Sequence, residues 1–494
     1  MAAIEKTEQL SFLLIPLMAP GHVIPMIDMA KMLARHGVNV TIMLTPLNFN
    51  RFSSVVNRAA MSGLPIRLLQ IRFPSQEAGL PAGCESADTL PSYQLIQNFF
   101  VAIKLLQAIV EEKMEEMNPI PSCVIFDKHL PWMAEACQKF GIPRVSFDGM
   151  SSFTQLVMHN LYVSKIHQTV PETVPFLVPG LPHEIEFTKL QLPGLFNPRI
   201  NDFPEFREQV RLTEAEAYGV VVNSFEELEK GYVDEFKKIR GGKVWCIGPL
   251  SLSSDDNLDR AERGNQASID AAQCLKWLDI RPPGSVIYAC LGSLARISAP
   301  QFLELALGLE ASNHPFILVV NTGSESEEIE KWISEDGFEE RNRERCLLVR
   351  GWAPQVLILS HPAVGGFLSH CGWNSTLESI CAGLPMVTFP LFGEQFLNEK
   401  LVVQVLKTGV GVGARVSVHL GQTQRPEDKV TRDGIQAAVE MVMDQGEEGC
   451  ERRRVAQELG KMAKRSVEEG GSSCLNIELL IEDIAKLAKQ KKSS

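Results

Sequence analysis

The 494-residue sequence lacks an excess of positive charge, long apolar runs and paired cysteines. Its 48 Lys and Arg residues are outnumbered by 60 Asp and Glu residues, which gives a net charge of −12. Nucleic-acid binding depends mainly on lysines and arginines that release counterions from phosphates, so we expect no nucleic-acid partner. No run approaches the ~18 apolar residues of a membrane-spanning helix, and we therefore expect no transmembrane segment.

The eleven cysteines are scattered without the C-x-x-C spacing of a metal or redox site. Such an unpaired set is typical of reduced cysteines that pack in the core of a cytosolic protein. The first residues contain no secretory signal pattern. We therefore predict a monomeric cytoplasmic protein, which is compatible with loose association with the surface of the endoplasmic reticulum.

Short apolar runs alternate with longer helical patterns along the whole chain. This alternation is typical of α/β proteins, in which parallel sheets are covered by helices. The polar segment 251–270 contains few large apolar side chains and is predicted to be an exposed linker. The main predicted strands lie at 11–18, 38–44, 66–71 and 122–127 before this linker, and at 285–290, 316–320, 346–349 and 364–369 after it.

These patterns predict two doubly wound domains, since single cores stop growing at ~250–300 residues. We assign residues 1–250 to an N-terminal domain, which a C-terminal helix at about 472–494 rejoins. Residues 251–270 are the linker, and residues 271–471 form the C-terminal domain. In such sheets, ligands bind where strands end and lead into helices.

The segment 352–395 holds the densest group of polar residues at such a place. The predicted strand 364–369 is followed by His370-Cys371-Gly372-Trp373-Asn374-Ser375 and then by a helical pattern. A glycine followed by Asn and Ser at the first helical positions exposes several N–H donors to one point. The helix dipole adds about 0.3–1 kcal/mol for an anion there. The segment predicts an anion site, although Asn374 and Ser375 would by themselves more often only cap the helix.

Further polar residues near this turn favour a binding site over simple helix capping. Trp352 follows a strand, where an exposed indole can stack on a planar base. Glu378 lies four residues after Asn374 on the same helix face and can accept hydrogen bonds from ribose hydroxyls. Glu394 and Gln395 offer a carboxylate and an amide, which suit sugar hydroxyls. A base, a ribose, an anion and a second sugar together describe a nucleotide sugar.

A second group lies in the N-terminal half. His22 lies between the first strand and a helix predicted at 25–36, and Asp127 ends the strand at 122–127. Parallel strands of one sheet present their carboxyl ends to the same side, so these two side chains can meet. A His–Asp pair can act as a general base, because the carboxylate fixes the tautomer and stabilises the imidazolium. A lone histidine at such a turn is more often structural, and Asp127 is what favours the catalytic interpretation.

The segment 352–395 closely resembles the plant secondary-product glycosyltransferase signature of the family 1 UDP-glycosyltransferases. Trp352, the HCGWNS run at 370–375, Glu378 and the terminal Gln395 are in register, and the resemblance extends across essentially the whole chain. It implies a GT-B architecture, with two Rossmann-like domains facing each other across a cleft. It also implies that the donor binds mainly to the C-terminal domain and the acceptor mainly to the N-terminal one.

The resemblance implies a role for each matching position. Trp352 would stack on uracil, Glu378 would hold the ribose, and His22 with Asp127 would form the catalytic pair. Ser293, in a Gly-Ser turn after the strand 285–290, would contact phosphate across the cleft. The complete set implied for the UDP-sugar is Ser293, Trp352, Ala353, Pro354, Gln355, His370, Cys371, Gly372, Trp373, Asn374, Ser375, Thr376, Leu377, Glu378, Phe392, Gly393, Glu394 and Gln395.

The implied reaction is an inverting transfer from UDP-glucose, a co-substrate, with no metal and no cofactor. A terminal Gln in this family usually accompanies UDP-glucose, whereas His accompanies galactose, so Gln395 favours glucose. Glu394 departs from the usual Asp. The expected acceptor is a small lipophilic molecule with a hydroxyl, a terpenoid or steroid sapogenin before a flavonoid or another phenolic. Apolar stretches at 99–109 and 150–163 could line its pocket, beside Asp148, where many relatives have a histidine.

Three alternatives remain open at the level of sequence. The same fold could use UDP-galactose or UDP-glucuronate. The chain could also be a UDP-sugar-binding protein without catalysis, against which the joint presence of His22 and Asp127 argues. A nicotinamide-dependent dehydrogenase shares the fold class, but the Gly-rich run 409–413 does not open a helix, and G-x-G-x-x-G is absent where it would be needed.

Overall fold

A computed structural model describes residues 9–197, 203–253, 257–295, 297–320, 326–418 and 425–493. Strands and helices alternate along both halves, as the apolar pattern predicts. The strands are β1 (Ser11–Ile15), β2 (Asn39–Leu44), β3 (Ile66–Gln70), β4 (Cys123–Asp127), β5 (Arg144–Asp148), β6 (Phe176–Leu177), β7 (Glu186–Phe187), β8 (Gly219–Val222), β9 (Val244–Cys246), β10 (Val286–Cys290), β11 (Phe316–Val320), β12 (Cys346–Arg350), β13 (Val364–Ser369), β14 (Met386–Thr388) and β15 (Gly409–Gly411).

The helices cover both faces of the sheets. They are α1 (Pro20–Arg35), α2 (Pro46–Met61), α3 (Ile96–Glu115), α4 (Met133–Phe140), α5 (Ser152–Ser164), α6 (Pro204–Ala215), α7 (Lys230–Ile239), α8 (Asn257–Ala261), α9 (Ala271–Asp279), α10 (Ala299–Ala311), α11 (Ser326–Asp336), α12 (Phe338–Asn342), α13 (Gln355–Leu359), α14 (Trp373–Ala382), α15 (Gln395–Lys400), α16 (Arg432–Met443), α17 (Glu447–Val467) and α18 (Ser472–Ser493).

Each half is built on one parallel sheet. The first has the order β3-β2-β1-β4-β5-β8-β9, and the second has the order β12-β11-β10-β13-β14-β15. In both, the strand order reverses beside the first strand, between β1 and β4 and between β10 and β13. Ligands of doubly wound sheets bind at such a reversal, outside the carboxyl ends of the strands. The topology therefore selects two places, the turns after β1 and β4 and the turns after β10 and β13.

Helix α1 begins earlier than the sequence pattern predicts. The pattern places its start near Pro25, but the helix begins at Pro20, with Ala19 in an extended conformation before it. Proline is well suited to the first helical position because its φ is already near the helical value and its missing N–H needs no partner there. His22 consequently lies on the first helical turn and not in a loop.

The predicted exposed linker is only partly exposed, and residues 254–256 of it lie outside the described residues. Leu250 and Ser251 are buried, and α8 follows. Gly264 packs so closely on the Trp352 ring that an added Cβ would lie 2.3 Å from Cζ2. Polar composition is a poor guide to exposure here, because two charged side chains of the segment form ion pairs with α1: Asp259 with Lys31 and Arg263 with Asp28.

The last helix, α18, packs against the first half of the chain. Ile477, Leu480 and Ile484 are fully buried in the same cluster as the apolar side chains of β1 and α1. Lys243, next to β9, also forms an ion pair of 2.5 Å with Asp483. The chain therefore crosses back from the second half to the first before it ends.

One described helical segment, Tyr93–Glu115, meets the length and composition criteria of a membrane span. This is weak evidence for a span, because a core helix meets the same criteria. Phe99, Ile103 and Leu106 of α3 are buried against the first sheet. All eleven cysteines are free, and eight of them are buried.

Candidate active site

The turns after β1 and β4 bring His22 and Asp127 together. Nδ1 of His22 lies 2.7 Å from Oδ2 of Asp127. Asp127 is buried, whereas 27% of the His22 side chain is exposed. The carboxylate is therefore fixed in the protein while the far edge of the imidazole faces the cleft.

The charge state of the pair follows from its surroundings. Burial disfavours a charge on either group, but their attraction and hydrogen bonding prevail. The pKa of the Asp127 carboxyl lies well below its usual range, held there by His22 and His129. Asp127 likewise raises the pKa of His22 above 6.5, against the effect of burial. An imidazole so placed gains a proton more readily than an isolated one, as a general base requires.

A second histidine, to which the sequence analysis assigned no role, shares this carboxylate. Nδ1 of His129 lies 2.9 Å from Oδ1 of Asp127, and the backbone N–H of His129 donates to the same oxygen at 3.0 Å. An Asp-x-His sequence could have signalled this local contact.

The three side chains also place ligand atoms within 4.8 Å of one another, close enough for one metal ion. Each imidazole already uses Nδ1 to bind Asp127, so hydrogen bonding alone accounts for the cluster.

The turn after β13 forms the opposite wall. The His370 ring lies against two glycines: an added Cβ at Gly292 or at Gly372 would lie 2.4 Å from a ring atom. Gly292 has a φ of +80°, which also favours glycine. Nδ1 of His370 is buried with no protein partner among the described residues. Burial lowers the pKa of His370 to about 4, so its ring is neutral and can donate one N–H.

The first turn of α14 connects the two halves. Nδ2 of Asn374 donates to the carbonyl of Gly21 at 2.7 Å, and Nε1 of Trp373 donates to the carbonyl of Asn223 at 2.7 Å. The HCGWNS run thus lies directly opposite the first turn of α1, which carries His22. The N-terminus of α14 and the imidazole of His22 face the same cavity.

Gln355 and Glu378 are joined at the base of this cavity. Nε2 of Gln355 donates to Oε2 of Glu378 at 2.7 Å and to the Ser375 hydroxyl at 3.1 Å. The other carboxylate oxygen of Glu378 accepts from Arg263, a residue of the predicted linker. Arg263 also binds Asp28 of α1, at 2.9 Å through Nε.

Arg263 therefore links a buried carboxylate of each half. Asp28 and Glu378 are 6% and 7% exposed. Sequence reasoning missed this residue because its partners lie 235 and 115 positions away in the chain. Arg260 and Arg263 both line the cavity, and neither was among the predicted site residues.

Replacing Arg263 by Leu is expected to lower the free energy of unfolding by about 3–5 kcal/mol, because two buried carboxylates would lose their cation. Urea denaturation measures this change. The matched control is Arg343→Leu, which breaks an exposed ion pair with Glu340 and should have a far smaller effect. A double variant, Arg263→Leu with Asp28→Asn, should recover part of the loss. Equal stability of the two single variants would contradict the expectation.

Glu394 and Gln395 begin α15 at the other end of the cavity. The side-chain amide oxygen of Gln395, Oε1, accepts from the backbone N–H groups of Leu391 and Phe392, at 2.9 and 3.0 Å. This fixes the side chain and leaves the amide NH₂ as the group available to a sugar. Burial raises the pKa of the Glu394 carboxyl, and His22 lies close enough to oppose that shift.

We name this space of about 320 Å³ the donor cavity, after the role that the sequence resemblance implies for it, and it brings together most of the predicted site residues. Those that line it are His22, Asp127, Ser293, Trp352, Ala353, Gln355, His370, Gly372, Trp373, Asn374, Ser375, Glu378, Phe392, Glu394 and Gln395. The predicted residues that do not line it are Pro354, Cys371, Thr376, Leu377 and Gly393. Only one face of α14 can line the cavity. Thr376 and Leu377 lie on its buried face, and Leu377 packs in an apolar cluster.

A second space of about 570 Å³, the acceptor cavity, adjoins the first on the side of the N-terminal half. Its walls are largely apolar and include Phe99, Phe100, Met150 and Met158, from the two stretches suggested by the sequence. The Phe100 ring lies 4.9 Å from the ring of Phe206. Gly393 lines this cavity instead of the donor cavity.

Most of the side chains at the junction of the two cavities are polar, and the apolar Met150 and Leu294 also lie there. His22, Lys128, His129 and Glu394 line both spaces. Asp148 accepts a hydrogen bond of 2.6 Å from the buried Lys128. Asp148 and the other carboxylates around Lys128 raise its pKa against the effect of burial, so it is a cation.

Comparisons with known proteins agree with this geometry. Residues 277–447 match the family described as UDP-glucoronosyl and UDP-glucosyl transferase. The chain is 49% identical to UDP-glycosyltransferase 73C3 of Arabidopsis thaliana, over 99% of this chain and 100% of the relative. The crystal structure of Glycyrrhiza uralensis UGT73P12 complexed with glycyrrhetinic acid 3-O-monoglucuronide is similar with a TM-score of 0.91 and 35% identity, over 98% of this chain and 97% of that one. Phytolacca americana UGT2 complexed with UDP-2fluoro-glucose and pterostilbene has a TM-score of 0.74 and 25% identity, over 96% and 100%.

Proposed function

Since this chain belongs to the UDP-glycosyltransferase family and has its GT-B fold, we propose that it is an inverting O-glucosyltransferase. It moves glucose from UDP-glucose to a hydroxyl of a lipophilic acceptor. The observation that carries the proposal is the position of His22, whose ring lines both the donor and the acceptor cavity. A base at that junction can reach a hydroxyl that attacks a sugar from the acceptor side.

Asp127 prepares His22 for this step. An ionised carboxylate only accepts hydrogen bonds, so the neutral His22 ring carries its hydrogen on Nδ1 and a lone pair on Nε2. Nε2 takes the proton of the acceptor hydroxyl as its oxygen attacks C1 of glucose. The bond from C1 to the diphosphate oxygen breaks with its electron pair, and attack from the opposite side inverts the configuration. Asp127 stabilises the imidazolium that results.

The leaving diphosphate is held by the wall that carries α14. The N-terminal N–H groups of α14, the ring N–H of His370 and the Ser293 hydroxyl lie on that wall. Arg260 also lines this cavity and adds a positive charge to it, whereas the charge of Arg263 is matched by Asp28 and Glu378. General-base catalysis supplies roughly 10²–10⁴ in rate, so stabilisation of the leaving group has to contribute the rest of a typical enzymatic acceleration.

Glucose is the proposed sugar because Gln395 presents its amide NH₂ to the cavity beside the Glu394 carboxylate. Phytolacca americana UGT2, a relative, is complexed with the fluorinated analogue UDP-2fluoro-glucose. The test is a panel of UDP-glucose, UDP-galactose and UDP-glucuronate with mass detection of the product. A preference for either of the last two would overturn the assignment of the donor, and UDP-sugar binding without any transfer would favour a non-catalytic protein.

The proposed acceptor is a terpenoid or steroid sapogenin, with a flavonoid or another phenolic as the second choice. The acceptor cavity is large and mainly apolar, and aromatic and methionine side chains line it. The Glycyrrhiza uralensis relative is complexed with glycyrrhetinic acid 3-O-monoglucuronide. A screen of polycyclic and phenolic acceptors against UDP-glucose tests this class.

Transfer is expected to need no metal and no cofactor. His22, Asp127 and His129 could surround one metal ion, but their hydrogen bonds already satisfy every Nδ1 and both carboxylate oxygens. The rate with UDP-glucose should therefore be unchanged after incubation with EDTA. A loss of activity that Zn²⁺ or Mg²⁺ restores would contradict this expectation.

We also propose a division of labour between the halves. Residues 1–250 with the helix from about 472 hold the acceptor and the base, residues 271–471 hold the donor, and the segment 251–270 connects them. We propose a monomeric protein in the cytoplasm, because its cysteines are unpaired and its first residues contain no secretory signal pattern. Size-exclusion chromatography with light scattering and a fluorescent fusion test these two points.

A further inference from the structure

Asp127 binds two imidazoles, of which the reaction described above uses one. Its Oδ2 faces His22 and its Oδ1 faces His129, both through Nδ1, at 2.7 and 2.9 Å. The two rings are nearly perpendicular, at 88°, with centroids 5.3 Å apart. One carboxylate thus orients both side chains.

Both rings, when neutral, carry their hydrogen on Nδ1. Since the ionised Asp127 can only accept, the hydrogen of a neutral His129 lies on Nδ1, and its Nε2 carries a lone pair. Burial and the neighbouring charge of His22 lower the pKa of His129, which keeps this ring neutral. Nε2 of His129 is therefore a hydrogen-bond acceptor, as Nε2 of His22 is.

Both rings reach the space where an acceptor hydroxyl must lie. His22 and His129 line the donor and the acceptor cavity alike. Their side chains are 27% and 25% exposed, whereas Asp127 is 2% exposed. The buried carboxylate leaves the outer edges of the two imidazoles to face the junction of the cavities.

We propose that His129 binds the acceptor directly, and that the preferred acceptor carries two hydroxyls on adjacent carbons. This inference rests on the proposed glycosyl transfer. One hydroxyl gives its proton to Nε2 of His22 and attacks C1 of the sugar. The neighbouring hydroxyl donates a hydrogen bond to Nε2 of His129 and keeps its proton throughout. His129 forms and breaks no covalent bond, and it selects which hydroxyl is presented to the base.

The alternative is that His129 only orients Asp127. Two amide side chains separate these roles. The amide nitrogen of Asn reaches the position of Nδ1, so His129→Asn keeps a donor to Asp127 but has nothing at the position of Nε2. The amide of Gln reaches the position of Nε2, so His129→Gln keeps a polar group that faces the acceptor but loses the donor to Asp127. His361→Asn is the matched control, since His361 contacts a carboxylate, that of Asp279, but lines neither cavity.

The experiment compares matched acceptors with UDP-glucose: a catechol and the corresponding phenol, and a polycyclic 2,3-diol and the corresponding 3-ol. The wild type should prefer a diol in kcat/KM by roughly 3- to 10-fold, the size of one net hydrogen bond. His129→Asn should lose this preference through a higher KM for the diol, with kcat for the mono-ol retained. His129→Gln should keep part of the preference but lose kcat, and His361→Asn should behave as the wild type.

Two results would overturn the inference: equal use of diol and mono-ol by the wild type, or an unchanged diol preference in His129→Asn. Acceptor dissociation constants, measured by tryptophan fluorescence in the presence of UDP, give a reading that does not depend on transfer. Diol-selective binding without transfer of any sugar would overturn the proposed glucosyl transfer and keep the contact with His129. Glucosyl transfer without diol selectivity would keep the proposed transfer and overturn the contact with His129.

Discussion

His22→Ala is expected to lower kcat by roughly 10²–10⁴-fold, the usual contribution of a general base. Among the described residues, His129 is the other imidazole that Asp127 orients, and it faces the other carboxylate oxygen. UDP-glucose affinity should be unchanged, because the contacts proposed for the nucleotide lie on the opposite wall. UDP release under saturating donor measures kcat, and calorimetry measures the affinity.

The control for this variant is His361→Ala, which removes a histidine that contacts Asp279 outside both cavities. In the wild type, kcat/KM should rise with pH and level off above the raised pKa of His22, since only the neutral ring can take a proton. Full transfer by His22→Ala would exclude His22 as the base. An activity that falls on raising the pH through this region would contradict the protonation state assigned to it.

Asp127→Asn is the second substitution with a large expected effect, again roughly 10²–10⁴-fold in kcat. Asparagine has one acceptor oxygen, whereas Asp127 accepts from three N–H groups. Two of them, the backbone and ring N–H of His129, converge on Oδ1. The side-chain oxygen of the introduced asparagine is expected to stay with these two donors, which turns the amide NH₂ towards His22.

His22 would then have to accept at Nδ1 and carry its hydrogen on Nε2, which is the wrong tautomer for a base. The measurements are kcat, UDP-glucose affinity and thermal unfolding, with Asp148→Asn as a variant of a neighbouring buried carboxylate that does not contact His22. A kcat for Asp127→Asn close to that of the wild type would show that the tautomer of His22 does not matter.

The turns after β1, β4, β10 and β13 can be located from the sequence, because each predicted strand there is followed by polar residues. Apolar runs place β1, β4, β10 and β13 within a few residues, and polar residues follow each of them. The meeting of His22 with Asp127 requires only that parallel strands end on one side. The fold class and the family are therefore predictable, and the structure and the relatives confirm both.

Other features depend on contacts that a pattern does not contain. The pattern predicts the start of α1 near Pro25 because a proline usually marks the first turn, and it assigns the earlier Pro20 to the preceding loop. Arg263 lies in a segment with the composition of a linker, and its partners are distant in sequence. Thr376 and Leu377 match the family signature, yet they contribute to packing and not to the cavity wall.

The close packing of His370 restricts which sequences this site can adopt. A Cβ at position 292 or 372 would overlap the His370 ring, and the φ of Gly292 adds a second penalty at that position. A library that varies either glycine alone should therefore return only glycine. Larger residues at 292 or 372 become possible only if a smaller residue replaces His370 at the same time. Positions 292, 370 and 372 therefore have to vary together. A designer who wishes to reshape the wall around the leaving group would have to change all three positions at once.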